Sequence, residues 1–193
     1  MKALTLYQPY ASLIACGVKT IETRSWYTSY RGPLAIHAAK TVPEAWRDDF
    51  DFLFERYKDE LRRVADLYLL EDGSFDLRLP VGGIVALAEL KQCLPTDDTH
   101  DDLGYLFDDG ESVRVPDNDL LTGNYAVGRF GWMLANVRAL EFPILCKGKQ
   151  GLWTPGADQV QYNGPTPADS LDYRSVRQSN KQPQRSLVFS GRT

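Results

Sequence analysis

Apolar and polar residues alternate over residues 2–7, which is typical of a half-buried β-strand. Pro9 follows this segment, and proline suits a first helical turn because its missing N–H would be unpaired there. Three apolar residues, Ala11, Leu13 and Ile14, form one stripe of a short helix, and Gly17 is a suitable left-handed cap for its end. The pattern therefore predicts a strand, a short helix and then a second strand that runs to residue 26 or 27.

Further apolar or alternating segments predict the rest of a sheet. They lie at residues 34–38, 84–90, 125–135 and 137–145. Pro143 places part of the last segment at a sheet edge or in a bulge. Together these segments predict an α+β protein with about six strands of mixed direction, closing into a β-barrel.

A different period begins at Thr41. Thr41 and Glu44 have capping-box spacing, with Pro43 in the first turn. Large apolar residues then recur every three or four positions: Trp46, Phe50, Leu53, Tyr57, Leu61, Val64 and Tyr68. This spacing predicts one long helix, or two helices with a break, over about residues 43–70. A stripe of this kind is typical of a core-facing surface, and a base-stacking platform is the alternative interpretation.

Two segments have little apolar character. Residues 93–119 are rich in Asp but lack the spacing of a calcium-binding loop, which indicates a solvated loop with at most one short helix. After Trp153 the chain is rich in turn residues and poor in apolar ones. The sequence therefore predicts a domain at residues 1–154 and an extended or disordered arm at 155–193, ordered only where it contacts the barrel or another subunit.

Charge and composition narrow the functional classes. The net charge is −4, but residues 147–193 hold seven basic and three acidic residues, a net +4, which leaves −8 for residues 1–146. A globally acidic protein binds nucleic acid poorly without a local basic patch. There is no apolar run of membrane-spanning length and no signal peptide, and the three cysteines form no C-x-x-C pair, so we expect a cytoplasmic protein with free thiols. With His37 and His100 as the two histidines, we expect neither a metal site nor a cofactor.

The densest group of chemically capable residues is Gly17, Lys19, Glu22 and Arg24. In a regular strand, Lys19 and Glu22 would lie on opposite faces, so they can meet only if a turn or bulge occurs near Thr20. The alternative is a helix cap followed by an edge strand with solvated charges, in which Arg24 and Glu22 form a structural pair. Spacing alone favours the edge strand with solvated charges, because charged residues are common in surface strands.

These four residues match the G-x-K-x-x-E-x-R signature of the ASCH domain, a member of the PUA-like superfamily. The resemblance extends to residues 4–11, including Gln8 and Pro9, to residues 32–40 and to residues 141–153, and it covers about residues 3–154. It implies a PUA-like β-barrel. PUA-like domains are mostly RNA-binding modules, and ASCH members have been proposed to bind RNA or coactivator partners.

The resemblance also implies an enzymatic alternative, because some small ASCH proteins are amidohydrolases acting on N4-acetylcytidine and ribonuclease activity has been reported for others. The amidohydrolases use a lysine, a threonine and a glutamate. Their lysine corresponds to Lys19, but their threonine falls at Glu22, so the hydroxyl nucleophile is missing here. Glu89, the one charge between Gly83 and Lys91, is a candidate for the remaining carboxylate. It is either buried with a raised pKa or emerging into solvent.

The first functional hypothesis is therefore an RNA-binding or modified-nucleoside-binding domain with a nucleotide pocket around the motif. Its candidate binding residues are Lys19, Arg24, Tyr7, Gln8, Trp26, Lys147, Lys149, Gln150 and Trp153, with Tyr10 as a further stacking residue. In this hypothesis, Lys19→Ala weakens binding and leaves the melting temperature nearly unchanged. The alternatives are a hydrolase that uses Lys19 and Glu22, with Glu89 as a third residue, and a protein-interaction module with an exposed apolar patch.

Overall fold

The computed structural model describes residues 1–70, 75–97 and 104–156 of the 193-residue chain. Its strands are β1 (Lys2–Leu6), β2 (Ile21–Arg24), β3 (Gly32–Ala38), β4 (Asp66–Leu69), β5 (Phe75–Arg78), β6 (Gly83–Pro95), β7 (Tyr105–Asp108), β8 (Glu111–Arg114), β9 (Phe130–Leu145) and β10 (Leu152–Trp153). Its α-helices are α1 (Tyr10–Ala15), α2 (Arg47–Arg56), α3 (Lys58–Leu61) and α4 (Asp117–Thr122), and a 3₁₀ helix spans Glu44–Trp46. No helix in the described ranges is long and apolar enough to span a membrane.

Six strands form the main sheet in the order β10-β1-β3-β6-β9-β2. β1 and β3 are parallel, and the other neighbours are antiparallel, so the sheet is mixed and curls into a half-barrel. The predicted α+β class and strand number are confirmed. No ladder between the described residues joins the edge strands β2 and β10. A hydrogen bond runs from Arg24 in the edge strand β2 to the backbone carbonyl of Thr5 in β1, the neighbour of the other edge strand.

The inside of the curl is filled by apolar side chains from four strands of the main sheet, β1, β3, β6 and β9. Leu4, Ile36, Leu90 and Trp132 are all fully buried there. The apolar face of α1 packs on the same cluster through Ala11 and Ile14. The short helix predicted from that stripe is confirmed, and it lies directly before the motif residues.

The two strands predicted at 125–135 and 137–145 are wrong as separate elements. A single 16-residue strand, β9, covers Phe130–Leu145, and residues 125–129 precede it. Asn136 has a positive φ of 52°, and the register of β9 against β6 shifts at three places. These irregularities bend one long strand and interrupt its alternation, which is why the sequence pattern indicates two.

The predicted helical insertion over 43–70 is correct only as far as Leu61. Pro43 precedes the 3₁₀ helix without a side-chain cap, so the capping box predicted from Thr41 and Glu44 does not form. Only the middle of the apolar stripe is buried, through Leu53, Tyr57 and Leu61, which pack near α1. After α3 the chain enters β4, which pairs with β5, because a strand partner is supplied by residues close in sequence. Val64 and Tyr68 therefore lie outside the helices.

The acidic segment is more ordered than a solvated loop. It contains the end of β6, the β7–β8 hairpin and α4, and Asp119 in α4 is only 1% exposed. The one predicted short helix corresponds to α4. Residues 98–103 lie outside the described residues, as does all but the first two positions of the predicted arm at 155–193.

Candidate functional site

The motif begins where α1 ends. Gly17 has a φ of +84°, a conformation that glycine adopts without strain. The amides of Val18 and Lys19 then both donate to the Leu13 carbonyl at 3.0 Å, so the chain leaves the helix in a tight turn. Regular strand geometry starts only at Ile21. Lys19 therefore lies before the strand, and the alternation of faces does not separate it from Glu22.

Asp119 fixes this departure from strand geometry. Its Oδ1 accepts hydrogen bonds from the amides of Thr20 and Ile21, each at 2.7 Å, and its Oδ2 accepts one from the Thr20 hydroxyl, also at 2.7 Å. Sequence reasoning missed Asp119, because nothing in the local pattern distinguishes it from its neighbour Asp117. The only available signal is that it belongs to a short segment followed by Leu120 and Leu121.

Lys19 is 1% exposed, and its ammonium group is directed into the protein. Nζ donates to the carbonyls of Ile21 at 2.7 Å and Thr122 at 2.8 Å, and it lies 3.5 Å from Glu22 Oε2. Burial lowers the pKa of Lys19, while the carboxylates of Glu22 and Asp119 act in the opposite direction. Two carbonyls and a carboxylate thus surround the three N–H groups. In this conformation the ammonium group of Lys19 binds groups of the protein and not solvent.

Glu22 and Arg24 complete a charged triad. The Glu22 side chain is 9% exposed and the Arg24 side chain 26%, and Arg24 Nε lies 3.5 Å from Glu22 Oε1. Arg24 Nη2 also donates to the Thr5 carbonyl at 3.2 Å. With two cations and one carboxylate, the triad has a formal charge of +1. Arg24 is its most exposed member, so the structural pair with Glu22 and a ligand contact are compatible.

Several buried polar atoms near the triad lack a hydrogen-bond partner within the described part of the chain. Arg24 Nε and the indole N–H of Trp132 are two of them. Trp132 pairs with Glu22 in the β2–β9 ladder, so both side chains lie on one face of the sheet. Trp26 contacts Trp132 edge-to-face, with ring centroids 4.7 Å apart. Trp26 is therefore part of the barrel lining in this conformation.

A second candidate group lies in the loop between β9 and β10. Lys147, Lys149 and Gln150 are exposed there. Gly148 between them packs closely on the barrel, since an added Cβ would lie 2.5 Å from His37 Cε1 and 2.8 Å from Thr5 Oγ1. The loop is therefore held against the same residue, Thr5, that receives the Arg24 hydrogen bond.

Trp153 and His37 form the wall beneath that loop. Trp153 is 6% exposed, and its indole N–H donates to Thr5 Oγ1 at 3.1 Å. His37 lies edge-on to it, with centroids 5.7 Å apart, and His37 Nε2 donates to the Cys146 carbonyl at 3.0 Å. Burial lowers the pKa of His37, which favours the neutral imidazole. Trp153 thus supports the loop from inside the fold.

Gln8 and Tyr7 occupy very different environments. Gln8 is 2% exposed and ties the start of α1, because its Nε2 donates to the Pro80 carbonyl at 2.6 Å and its Oε1 accepts from the Ser12 amide at 3.1 Å. Tyr7 is 41% exposed and lies 6.2 Å from the ring of Trp46. Of these two adjacent candidates, only Tyr7 presents a surface to solvent.

Glu89 is a partly exposed carboxylate. It pairs with Lys91 at 2.7 Å and accepts a hydrogen bond from Asn136 at 2.8 Å. These two partners lower its pKa. The interpretation of Glu89 as a buried carboxylate with a raised pKa is therefore wrong, and the solvent-facing alternative is correct. Within the described residues, no three His, Cys, Asp or Glu side chains cluster as metal ligands.

Comparison with known proteins agrees with the architecture. The ASCH domain model matches residues 4–144. Activating signal cointegrator 1 from Homo sapiens is 33% identical over 91 residues, which is 47% of this chain and 14% of that protein. The Mus musculus protein of the same name gives the same identity and coverage. The chain thus spans about 14% of the length of these curated relatives. By the match over residues 4–144, the chain belongs to the ASCH domain family.

Proposed function

We propose that this domain binds single-stranded RNA at the surface where Arg24 approaches the loop at residues 146–151. The PUA-like fold is generally associated with RNA binding. The observation that carries the proposal is the shared contact on Thr5: Arg24 donates to its carbonyl, and Gly148 packs on its hydroxyl. One residue therefore brings the exposed part of the motif and the basic loop into one neighbourhood.

The charges of this neighbourhood suit a phosphate backbone. The loop at 146–151 contains two lysines and no acidic residue, although the chain as a whole is acidic. Lys147 and Lys149 are exposed, and Arg24 is the partly exposed cation of the triad. Arg24 retains N–H groups beyond its Thr5 bond, and a guanidinium is well shaped for phosphate oxygens. The exposed amide of Gln150 adds a donor and an acceptor for a base edge.

Lys19 plays an indirect part in this proposal. Its ammonium group is occupied by two carbonyls and Glu22, so it positions the triad. A direct phosphate contact by Lys19 stays a prediction, and it would require the release of those bonds. The same holds for base stacking by the buried Trp153 and for contacts by Gln8.

The test is a salt titration of RNA binding, measured by fluorescence anisotropy with a labelled single-stranded RNA oligonucleotide. The double variant Lys147→Ala/Lys149→Ala should bind more weakly. The slope of log affinity against log salt should fall by about 1.4, since each single-strand phosphate contact contributes about 0.7. The matched control is Lys58→Ala/Arg62→Ala, which removes one cation from α3 and one directly after it and should leave the slope unchanged. Equal slopes for both double variants would contradict the proposed surface.

A second candidate function is hydrolysis of an N4-acylated cytidine, and the 3.5 Å separation of Lys19 Nζ and Glu22 Oε2 favours it. In this scheme Glu22 activates a water and Lys19 stabilises the developing oxyanion. Glu89 is an unsuitable third residue, because its described contacts are to Lys91 and Asn136. Incubation with N4-acetylcytidine tests the scheme. Cytidine release by the wild type that is lost in Glu22→Gln supports it. Equal rates for the wild type and Glu22→Gln exclude it.

A further inference from the structure

The helical insertion contributes an aromatic residue to the surface beside the motif. Trp46, in the 3₁₀ helix, lies 6.2 Å from Tyr7 with ring planes at 45°, and 6.3 Å from Tyr10 with ring planes at 88°. Tyr10 in turn lies over Lys19, with Nζ 6.0 Å from the ring centroid. We call Tyr7, Tyr10 and Trp46 the aromatic corner. Trp46 thus joins the other two rings, and Tyr10 connects them to the buried Lys19.

Two rings of the aromatic corner are exposed, whereas the middle of the apolar stripe in residues 46–68 is buried. Tyr7 is 41% exposed and Trp46 is 43% exposed. In contrast, Leu53, Tyr57 and Leu61 of the same stripe are 3%, 3% and 0% exposed. The middle of the stripe thus supplies the core contacts, and Trp46 at its start lies at the surface, so core packing does not explain the position of Trp46.

The surroundings of the aromatic corner are acidic. Residues 44–51 contain four carboxylates and one arginine, a net −3, and Arg47 is paired with Glu44. Burial, Asp49 and Glu22, in that order, raise the pKa of Tyr10 to about 12, so these carboxylates act directly on the corner. Lys19, the cation below Tyr10, is balanced by Glu22. A phosphate would be repelled here, while a cation would be attracted by the carboxylates and by the ring faces.

We propose that the aromatic corner binds the positively charged ring of an N-alkylated nucleobase. This proposal rests on the proposed RNA-binding function and adds the class of base to it. A planar, cationic ring uses both features present: it stacks on exposed aromatic surface, and its charge is complemented by Asp49 and its acidic neighbours. A neutral base would gain the stacking but no benefit from the carboxylates. Tyr7 follows Thr5 by two residues, and the basic loop packs on Thr5 through Gly148. A base on Tyr7 therefore lies at the same end of β1 as the lysines that would bind its phosphates.

The experiment titrates the full chain with 7-methylguanosine and with guanosine, followed by calorimetry and by tryptophan fluorescence. The cationic nucleoside should bind at least about tenfold more tightly than the neutral one. Trp46→Ala and Tyr7→Ala should each weaken 7-methylguanosine binding about tenfold, while Trp46→Phe retains most of it. Asp49→Asn should reduce the ratio of the affinities for 7-methylguanosine and guanosine. Phe52→Ala is the matched control, because Phe52 is an α2 aromatic that is 58% exposed and lies outside the corner.

Three outcomes would overturn the proposal: equal affinity for the two nucleosides, binding of neither, or tighter binding of a trimethyllysine peptide. Circular dichroism of each variant checks that it is folded, and Tyr7→Ala tests the aromatic corner if Trp46→Ala does not fold. An unmodified RNA oligonucleotide is measured with the same protein. RNA binding without a preference for 7-methylguanosine rejects the aromatic corner alone, whereas loss of both interactions rejects the RNA-binding function as well.

Discussion

Asp119 holds Thr20 by two hydrogen bonds of 2.7 Å, one to its amide and one to its hydroxyl. The two residues are 99 positions apart in the sequence. Asp119 also accepts a hydrogen bond from the amide of Ile21. The backbone of the motif is therefore held by α4, a helix in the acidic segment. The meeting of Lys19 and Glu22 depends on this backbone conformation.

Asp119→Ala should lower the free energy of unfolding by about 2–4 kcal/mol, because the amides of Thr20 and Ile21 lose their charged acceptor and the Ile21 amide is buried. Urea denaturation measures the loss. Asp117→Ala is the matched control in the same helix, since the Asp117 side chain is 84% exposed, and it should cost less than about 0.5 kcal/mol. Equal losses for the two variants would show that the Asp119 contacts do not stabilise the fold.

Lys19→Ala should destabilise the domain by about 3–5 kcal/mol, because it breaks a buried ion pair and leaves two buried carbonyls without a donor. This reverses the expectation drawn from the sequence, in which the melting temperature stays nearly unchanged. Lys19→Met, which keeps the length of the side chain, should lose less than Lys19→Ala. Thermal and urea denaturation of both variants decide between the two expectations: an unchanged melting temperature for Lys19→Ala would show that the buried contacts carry little energy.

Tyr10 should make stability depend on pH in the alkaline range. Its folded-state pKa of about 12 lies above the usual value of 10.0, so between these values the folded protein keeps a proton that the unfolded chain releases. The free energy of unfolding must therefore fall as pH rises from about 10 to about 12. Burial also raises the pKa of Tyr125, so the difference between wild type and Tyr10→Phe isolates Tyr10. That difference should shift in favour of the variant across this range, and parallel curves would contradict the prediction.

Gly148→Ala should displace the basic loop. The new methyl group would lie 2.5 Å from His37 Cε1 and 2.8 Å from Thr5 Oγ1, and such overpacking costs about 1–3 kcal/mol. We expect a lower melting temperature together with weaker RNA binding. Gln150→Ala, at an exposed neighbouring position, should leave the melting temperature unchanged. If Gly148→Ala matches wild type in both measurements, the position of the loop is not set by this packing.

The elements with strong periodicity could be predicted from the sequence. The alternation at residues 2–7 and the apolar stripe of Ala11 and Ile14 correspond to β1 and α1, because burial on one face leaves a regular pattern. The sequence also shows what must hold for Lys19 to lie beside Glu22: the strand must be irregular near Thr20. The motif also identified the family before any fold was known.

Other features depend on contacts that leave no local pattern. Gln8 and Trp153 have residue types that suit a ligand surface, but both are buried by partners far away in the sequence, at Pro80 and Thr5. Asp119 resembles every other aspartate in its segment. After the helix that ends at Leu61, the chain forms β4 because it pairs with β5. The residues around position 66 do not by themselves indicate this pairing.

The pairing of β1 with β10 has a consequence for the order in which the domain is made. Ala3 is joined to Trp153, and Leu4 to Leu152. During synthesis the outer edge of β1 therefore stays unpaired until residue 153 has left the ribosome, although β1 itself emerges well before that residue. Pairs so distant in sequence close late and slow folding. Until then, one of the earliest strands of the nascent domain has an edge whose backbone N–H and C=O groups lack their partner strand β10 and can pair with another chain.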